Sequence, residues 1–189
     1  MSPVFAARNL PNFITGFRFL LIAPIVVCLL YREYFWALGL FALAAVSDGL
    51  DGFLARQYAW HSRLGTYLDP LADKALITSV YVTLGWQDLL PSWLVALVIL
   101  RDAVILGGAF VIRRQLLATG VKPSLLSKGN TAAQILLVLV VMGMQSIQGA
   151  WPLAISALVG LVAITTVASG FGYIIEGLAS TTGRLSKRA

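Results

Sequence analysis

The chain has 189 residues, of which 59% are hydrophobic and only 12% are charged, and its formal net charge is +6. Ordinary soluble domains are nearer ~45–50% apolar and ~25% charged, so the composition argues against a soluble domain. It predicts one domain, residues 1–189, embedded in a membrane. The basic residues lie between apolar runs, which disfavours nucleic-acid binding and favours loops that face anionic lipid.

Six apolar segments follow one another along the chain, and most reach the ~20 residues that a membrane-spanning helix needs. We therefore predict an all-α integral membrane protein with six transmembrane helices. The first segment lacks a small-residue cleavage site, so it is expected to be a membrane helix and not a cleaved signal peptide. The segments cover residues 12–31, 36–55, 68–86, 92–112, 129–147 and 151–175.

Basic residues are concentrated in alternate connections, namely those near residues 56–67 and 113–128, and near both termini. The positive-inside rule then places both termini in the cytoplasm. We expect a multi-pass protein of a bacterial inner membrane, with a processed organellar protein as the alternative. The polar active site is expected at the cytoplasmic side of the bundle.

The first segment opens with a polar stripe formed by Asn12, Thr15 and Arg18. These residues recur at three-residue spacing, so they share one face of a helix. Arg18 lies within apolar sequence, which suggests a role facing the interior of the bundle. The alternative is a capped first helix whose arginine side chain reaches toward the membrane surface.

Four of the eight acidic residues lie close together where the second segment ends and the third begins. Asp48 and Asp51 are three residues apart, and Asp69 and Asp73 are four apart. Each spacing puts a carboxylate pair on one face of a helix. A single aspartate at a membrane boundary is usually a solvated helix end or a cap, but four at these spacings are not explained in that way.

Carboxylates that converge in a poorly hydrated place repel one another, so they require a positive partner. Oxygen ligands beside an anionic substrate suit Mg²⁺ or Mn²⁺. Two such ions about 3.5–4 Å apart can hold a diphosphate and an attacking oxygen. Gly52 and Ala55 continue the face of the first pair and leave room for a ligand.

The residues from Asp48 to Asp73 fit the pattern D-x2-D-G-x2-A-R-x8-G-x3-D-x3-D without a gap. This pattern resembles the signature of the CDP-alcohol phosphotransferase family, and the layout of six segments is similar to that family over nearly the whole chain. The resemblance implies that an alcohol attacks a CDP-linked donor and that CMP leaves.

The resemblance also implies roles for individual residues. Asp48, Asp51 and Asp69 would bind the two divalent cations, and Asp73 would complete the metal site and act as general base on the acceptor hydroxyl. The expected residues of the donor site, which binds cytidine and diphosphate, are Gly52, Ala55, Arg56, Gly65, Asn12 and Thr15.

The acceptor is expected to be phosphatidylglycerol, with CDP-diacylglycerol as donor, because stretches such as 122–134 and 165–173 resemble the cardiolipin-forming branch of the family. Glycerol 3-phosphate is the alternative acceptor, and an ion-coupled transporter is a more distant alternative, since carboxylates within a membrane also mark ion pathways. The family resemblance further suggests a homodimer.

The acceptor phosphate is expected to contact Arg101, Lys128 and Arg18. Arg101 lies about nine residues into the fourth segment, where a charge is costly and by default functional. A structural pair with Asp102 is the alternative for Arg101, and a lysine reaching toward the membrane surface is the alternative for Lys128.

Overall fold

The structure, a computed structural model, describes residues 10–58, 65–116, 125–149 and 151–185, and within them side chains for residues 16–47, 71–105, 126–149 and 151–173. The described residues form six α-helices and contain no strand, so the prediction of an all-helical chain with six helices is confirmed. The helices are α1 Leu10–Leu30, α2 Tyr34–Tyr58, α3 Gly65–Trp86, α4 Ser92–Leu116, α5 Leu125–Ser146 and α6 Pro152–Leu185.

Several helices continue beyond the apolar segments that predict them. Helix α6 ends at Leu185, ten residues after the expected end, and α4 ends at Leu116 and not at residue 112. An apolar segment stops at the first polar residues, whereas backbone hydrogen bonding continues through them. Hydropathy therefore located the helices correctly but did not locate their ends.

Among the residues that the structure describes, two stretches, Leu126–Ser146 and Pro152–Tyr173, are long and apolar enough to cross a membrane. Shorter apolar stretches cover Gly16–Leu30 in α1 and Tyr34–Ser47 in α2. Large apolar side chains on several helices are exposed, for example Leu20 and Ile164. Extended apolar exposure of this kind is typical of a surface that meets lipid or another protein, and it is consistent with a membrane protein.

The chain divides into two compact units. The first unit comprises Met1–Leu89 and Val138–Ala150, and in it α1 packs against both α2 and α3. The second unit comprises Leu90–Leu137 and Trp151–Ala189, and in it α4 packs against α6. Each unit has its own buried apolar side chains, including Ile25, Leu29, Phe41 and Val80 in the first and Leu94, Val98, Leu137 and Val162 in the second.

Helices α1, α3 and α5 end in the same kind of tight turn. In each turn a residue other than glycine adopts a left-handed conformation, with φ of 62° at Arg32, 58° at Asp88 and 52° at Gln148. The following amide then donates to a carbonyl five residues earlier, which is the Schellman motif. These bonds are Glu33 to Cys28 at 2.8 Å, Leu89 to Leu84 at 3.0 Å and Gly149 to Met144 at 2.9 Å.

A side-chain network joins the first three helices near two of these turns. The Tyr34 hydroxyl at the start of α2 donates to Gln87 Oε1 over 3.0 Å, and Gln87 Nε2 donates to the Leu29 carbonyl. That carbonyl lies in the last turn of α1 and also accepts a hydrogen bond from the Arg32 amide over 2.9 Å. Gln87, directly after α3, therefore adds a second hydrogen bond at the buried Leu29 and links the ends of α1 and α3 to the start of α2.

Candidate active site

The four predicted metal-binding aspartates lie on two helices that both pack against α1. Asp48 and Asp51 belong to α2, and Asp69 and Asp73 belong to α3. Among these four, Asp73 alone has a described side chain. The side chains of the predicted donor-site residues, namely Gly52, Ala55, Arg56, Gly65, Asn12 and Thr15, also lie outside the described ones, so their roles stay predictions.

The structure pairs Asp73 with Arg18, a residue 55 positions earlier in the chain. Arg18 Nη1 of α1 donates to Asp73 Oδ1 of α3 and forms an ion pair with it. The Arg18 side chain is 1% exposed, whereas that of Asp73 is 39% exposed. The guanidinium thus supports the carboxylate from the buried side, and part of the carboxylate side chain remains open to a ligand.

A second contact shows how α1 and α3 are aligned. Arg18 of α1 contacts Asp73 of α3. Eleven residues after Arg18, the Leu29 carbonyl accepts a hydrogen bond from Gln87, which lies fourteen residues after Asp73. The two helices therefore run in the same direction and are joined near the middle of each and again at the turns that follow them. Asp73 thus lies fourteen residues before Gln87, near the middle of α3.

The donor chemistry of the four aspartates fits divalent cations. Within the described side chains, no three histidine, cysteine, aspartate or glutamate residues come together as a metal site, and three of the four aspartates lie outside that part of the chain. Carboxylate oxygens on two helices that share a neighbour are nevertheless the ligands that Mg²⁺ and Mn²⁺ prefer. Asp73 is accessible enough to contribute one of them.

Arg101 lies in a different environment, within the second unit. Its Nη1 donates to Asp102 Oδ1 over 2.7 Å, and its Nη2 donates to Ser127 Oγ over 2.7 Å and to Ser169 Oγ over 2.6 Å. Arg101 and Asp102 are 5% and 4% exposed. Because these contacts reach α4, α5 and α6, the arginine joins three helices.

This network bears on the predicted role of Arg101 at the acceptor phosphate. Both Nη atoms are occupied by protein groups, and the buried Nε has no hydrogen-bond partner among the described residues. A phosphate would have to replace the serine hydroxyls of Ser127 and Ser169 or approach Nε. The geometry therefore favours the alternative of a structural pair with Asp102. Lys128 follows Ser127 and is exposed, so it is better placed to meet a charged ligand.

Sequence reasoning missed a polar contact one helical turn away from Ser127. Asn130 is fully buried, and its Oδ1 accepts hydrogen bonds from the hydroxyls of Thr165 and Thr166, each over 2.9 Å. The signal was present: Ser127 and Asn130 on α5, and Thr166 and Ser169 on α6, recur at three-residue spacing in apolar sequence. Polar residues at that spacing indicate contacts between helices.

The sequence pattern of the family described as CDP-alcohol phosphatidyltransferase matches residues 8–168. The chain belongs to this family. The predicted class of enzyme, a CDP-alcohol phosphatidyltransferase, is thereby confirmed at the level of the family.

Three curated relatives show the range of similarity. A cardiolipin synthase (CMP-forming) from Homo sapiens is 38% identical over 89% of this chain and 62% of its own length. The chloroplastic CDP-diacylglycerol–glycerol-3-phosphate 3-phosphatidyltransferase 1 of Oryza sativa subsp. japonica is 37% identical over 89% of this chain and 56% of its own. A probable phosphatidylglycerophosphate synthase of Mycobacterium tuberculosis is 31% identical over 93% of this chain and 84% of its own. The chain thus spans about three fifths of the length of the human and rice relatives.

Proposed function

We propose that this chain is a CMP-forming cardiolipin synthase. It transfers the phosphatidyl group of CDP-diacylglycerol to a hydroxyl of phosphatidylglycerol and releases CMP. The observation that carries the proposal is the Asp73 carboxylate, which is 39% exposed and held from behind by the buried Arg18. The choice of acceptor is supported by the similarity to the human cardiolipin synthase over 89% of the chain.

Asp73 acts as the general base of the reaction. The acceptor hydroxyl oxygen attacks the phosphorus of the phosphatidyl group, a new P–O bond forms, and the P–O bond to CMP breaks. The hydroxyl proton passes to the Asp73 carboxylate, and CMP leaves with the electron pair. Two Mg²⁺ or Mn²⁺ ions, held by Asp48, Asp51, Asp69 and Asp73, would stabilise the negative charge on the diphosphate and on CMP.

The remaining predicted residues are assigned to the donor site and to the acceptor site. Arg56 would bind the diphosphate as a charge-assisted fork, beside the small residues Gly52, Ala55 and Gly65 and the polar residues Asn12 and Thr15. Lys128, exposed at the start of α5, would bind the acceptor phosphate. Arg101 would support that region from within, through Ser127.

We also propose that all six helices span the membrane, with both termini in the cytoplasm. Helices of 21 to 34 residues are long enough to cross the hydrocarbon core, and basic residues are concentrated on one side of the predicted topology. The family pattern continues through both compact units, which supports a single domain. A bacterial inner membrane and a homodimer complete the proposal.

A phosphatidylglycerophosphate synthase, with glycerol 3-phosphate as acceptor, is the second candidate. It is favoured by the relatives from rice and Mycobacterium tuberculosis, which are 37% and 31% identical to this chain. Both candidates share the donor, the departing CMP and the aspartate pattern. They differ only in the alcohol that is bound.

The acceptor test separates the two candidates. Purified protein in detergent is given CDP-diacylglycerol, Mg²⁺ or Mn²⁺, and either phosphatidylglycerol or glycerol 3-phosphate, and CMP release is measured. We expect CMP with phosphatidylglycerol. Release with glycerol 3-phosphate alone would establish the second candidate, and release with neither acceptor would contradict both.

A further inference from the structure

Arg18 differs in exposure from the residue with which it forms an ion pair. Its side chain is 1% exposed, while the paired Asp73 side chain is 39% exposed. A ligand that approaches from outside therefore reaches Asp73 before it reaches Arg18. This arrangement disfavours the predicted contact between Arg18 and the phosphate of the acceptor, because such a contact requires an accessible guanidinium.

We propose that Arg18 is a positioning residue, which orients the Asp73 carboxylate from the buried side and, as a fixed positive charge, weakens the binding of divalent cations at the aspartate pattern. The role rests on the proposed function of Asp73 and deepens it. An Arg–carboxylate hydrogen bond is strong and directional, so Oδ1 is held in place while the Asp73 side chain as a whole stays 39% exposed. Arg18 itself touches neither substrate nor cation.

Arg18 has two opposite effects on the affinity of the site for divalent cations. Their relative sizes decide whether removal of Arg18 tightens or weakens binding. The guanidinium repels a divalent cation bound at the same carboxylate, and near a protein surface charges a few ångströms apart interact by several times the thermal energy. Orienting one short side chain contributes much less, about a few-fold in affinity. Repulsion dominates, so loss of the charge should tighten cation binding while it impairs catalysis.

The test measures Mn²⁺ binding without substrates. Free Mn²⁺ is counted by electron paramagnetic resonance in titrations of the purified full chain, and kcat and KM are then measured at saturating Mn²⁺. For Arg18→Gln we expect about tenfold tighter Mn²⁺ binding, a kcat lower by roughly 10–100-fold because the base is misplaced, and an unchanged KM for the acceptor. Arg18→Lys keeps the charge and should bind Mn²⁺ within about threefold of the parent protein.

A matched control separates the local charge from the net charge. Arg32→Gln removes the same charge from an exposed position, fourteen residues further along and beyond the end of α1. It should leave Mn²⁺ binding, kcat and KM unchanged. If Arg32→Gln also tightened Mn²⁺ binding, the effect would belong to overall charge and the proposal would be wrong.

The remaining outcomes are equally decisive. An unchanged Mn²⁺ affinity in Arg18→Gln, with a raised KM for the acceptor, would make Arg18 an acceptor contact. Arg18→Met, which fills the buried space with a neutral side chain, replaces Arg18→Gln if that variant does not fold, and failure of both would show a purely structural residue. A parent protein that binds Mn²⁺ but releases no CMP would overturn the proposed function alone, whereas one that binds no Mn²⁺ would overturn this inference.

Discussion

Two buried arginines, one in each compact unit, are paired with aspartates, but the pairs differ in what they leave open. Arg18 pairs with Asp73 across two helices, and the carboxylate side chain is 39% exposed. Arg101 pairs with its neighbour Asp102, and both residues are at most 5% exposed. Two serine hydroxyls occupy the remaining Nη2 of Arg101.

The difference shows how one pair of residue types serves two purposes. In the closed pair, Arg101–Asp102, both partners are buried, and the hydrogen bonds hold helices together. They are needed because a buried charge without partners is very costly. In the open pair, Arg18–Asp73, the carboxylate compensates the buried charge of Arg18 and its side chain remains 39% exposed. Under the proposed function, that accessible carboxylate takes part in the chemistry. Exposure of the acid, and not the presence of the pair, therefore distinguishes the candidate catalytic site from the structural one.

The largest expected effect comes from neutralising the open pair. Asp73→Asn should lower CMP release by roughly 10²–10⁴-fold, because the general base is lost. The matched control is Asp88→Asn, which removes the same charge from the exposed turn after α3 and places asparagine where a left-handed backbone suits it. CMP release by both variants is measured at saturating Mg²⁺. Full activity in Asp73→Asn would refute its role as the base.

Substitutions in the closed pair, Arg101–Asp102, should change the free energy of unfolding. A second substitution should restore most of the stability that the first one removes. Asp102→Leu leaves the buried Arg101 charge without its carboxylate, so the unfolding free energy should fall by about 3–5 kcal/mol. The double variant Arg101→Met/Asp102→Leu removes both charges and should regain most of that loss. Unfolding in detergent measures both, and a double variant less stable than the single one would show that the Arg101 contacts to Ser127 and Ser169 stabilise the fold by more than the unpaired charge costs.

A smaller effect is expected at the Asn130 contact of the second unit. Thr166→Val removes one of the two hydroxyls that donate to Asn130 Oδ1 and should cost about 0.5–1.5 kcal/mol. Thr165→Val is the matched control, because that hydroxyl is shared with the Leu161 carbonyl and is less buried. We expect the Thr165 variant to lose less stability in the same unfolding measurement. The reverse order would show that Thr165 is the principal donor.

The smallest expected effect is a gain in stability at the tight turn that follows α3. Asp88 has φ of 58°, a conformation that costs an L-residue about 1–2 kcal/mol. Asp88→Gly should relieve this cost, offset in part by the greater freedom of glycine in the unfolded chain, for a net gain of up to about 1 kcal/mol. Asp88→Ala should be destabilising. Thermal unfolding checks both, and equal midpoints would contradict the assignment of backbone strain.

The sequence predicts features that depend on neighbouring positions. Six apolar runs predict six helices because burial or lipid contact requires apolar faces, and the spacing of Asp48, Asp51, Asp69 and Asp73 marks the candidate site. The adjacent pair Arg101–Asp102 was also expected as one of two alternatives. All of these follow from separations of a few residues.

Other features depend on which helix packs against which, and spacing along the chain does not contain that information. Arg18 and Asp73 are 55 positions apart, and their contact requires α1 and α3 to be parallel neighbours. The contact of Asn130 with Thr165 and Thr166 requires α5 and α6 to meet at a particular register. The left-handed turns at Arg32 and Asp88 escaped prediction because glycine, the usual marker of such turns, is absent from both positions.

The positions of the tryptophans give the protein a built-in optical probe. Trp36, Trp86, Trp93 and Trp151 are all exposed and lie within five residues of a tight turn, as expected for aromatic residues near a membrane interface. Trp86 is thirteen residues beyond Asp73 on α3, about 20 Å along the helix. Quenchers attached to lipids at known depths should therefore reduce the fluorescence of these four tryptophans and report where the turns lie in the bilayer. A ligand bound at Asp73 should leave the fluorescence of Trp86 unchanged.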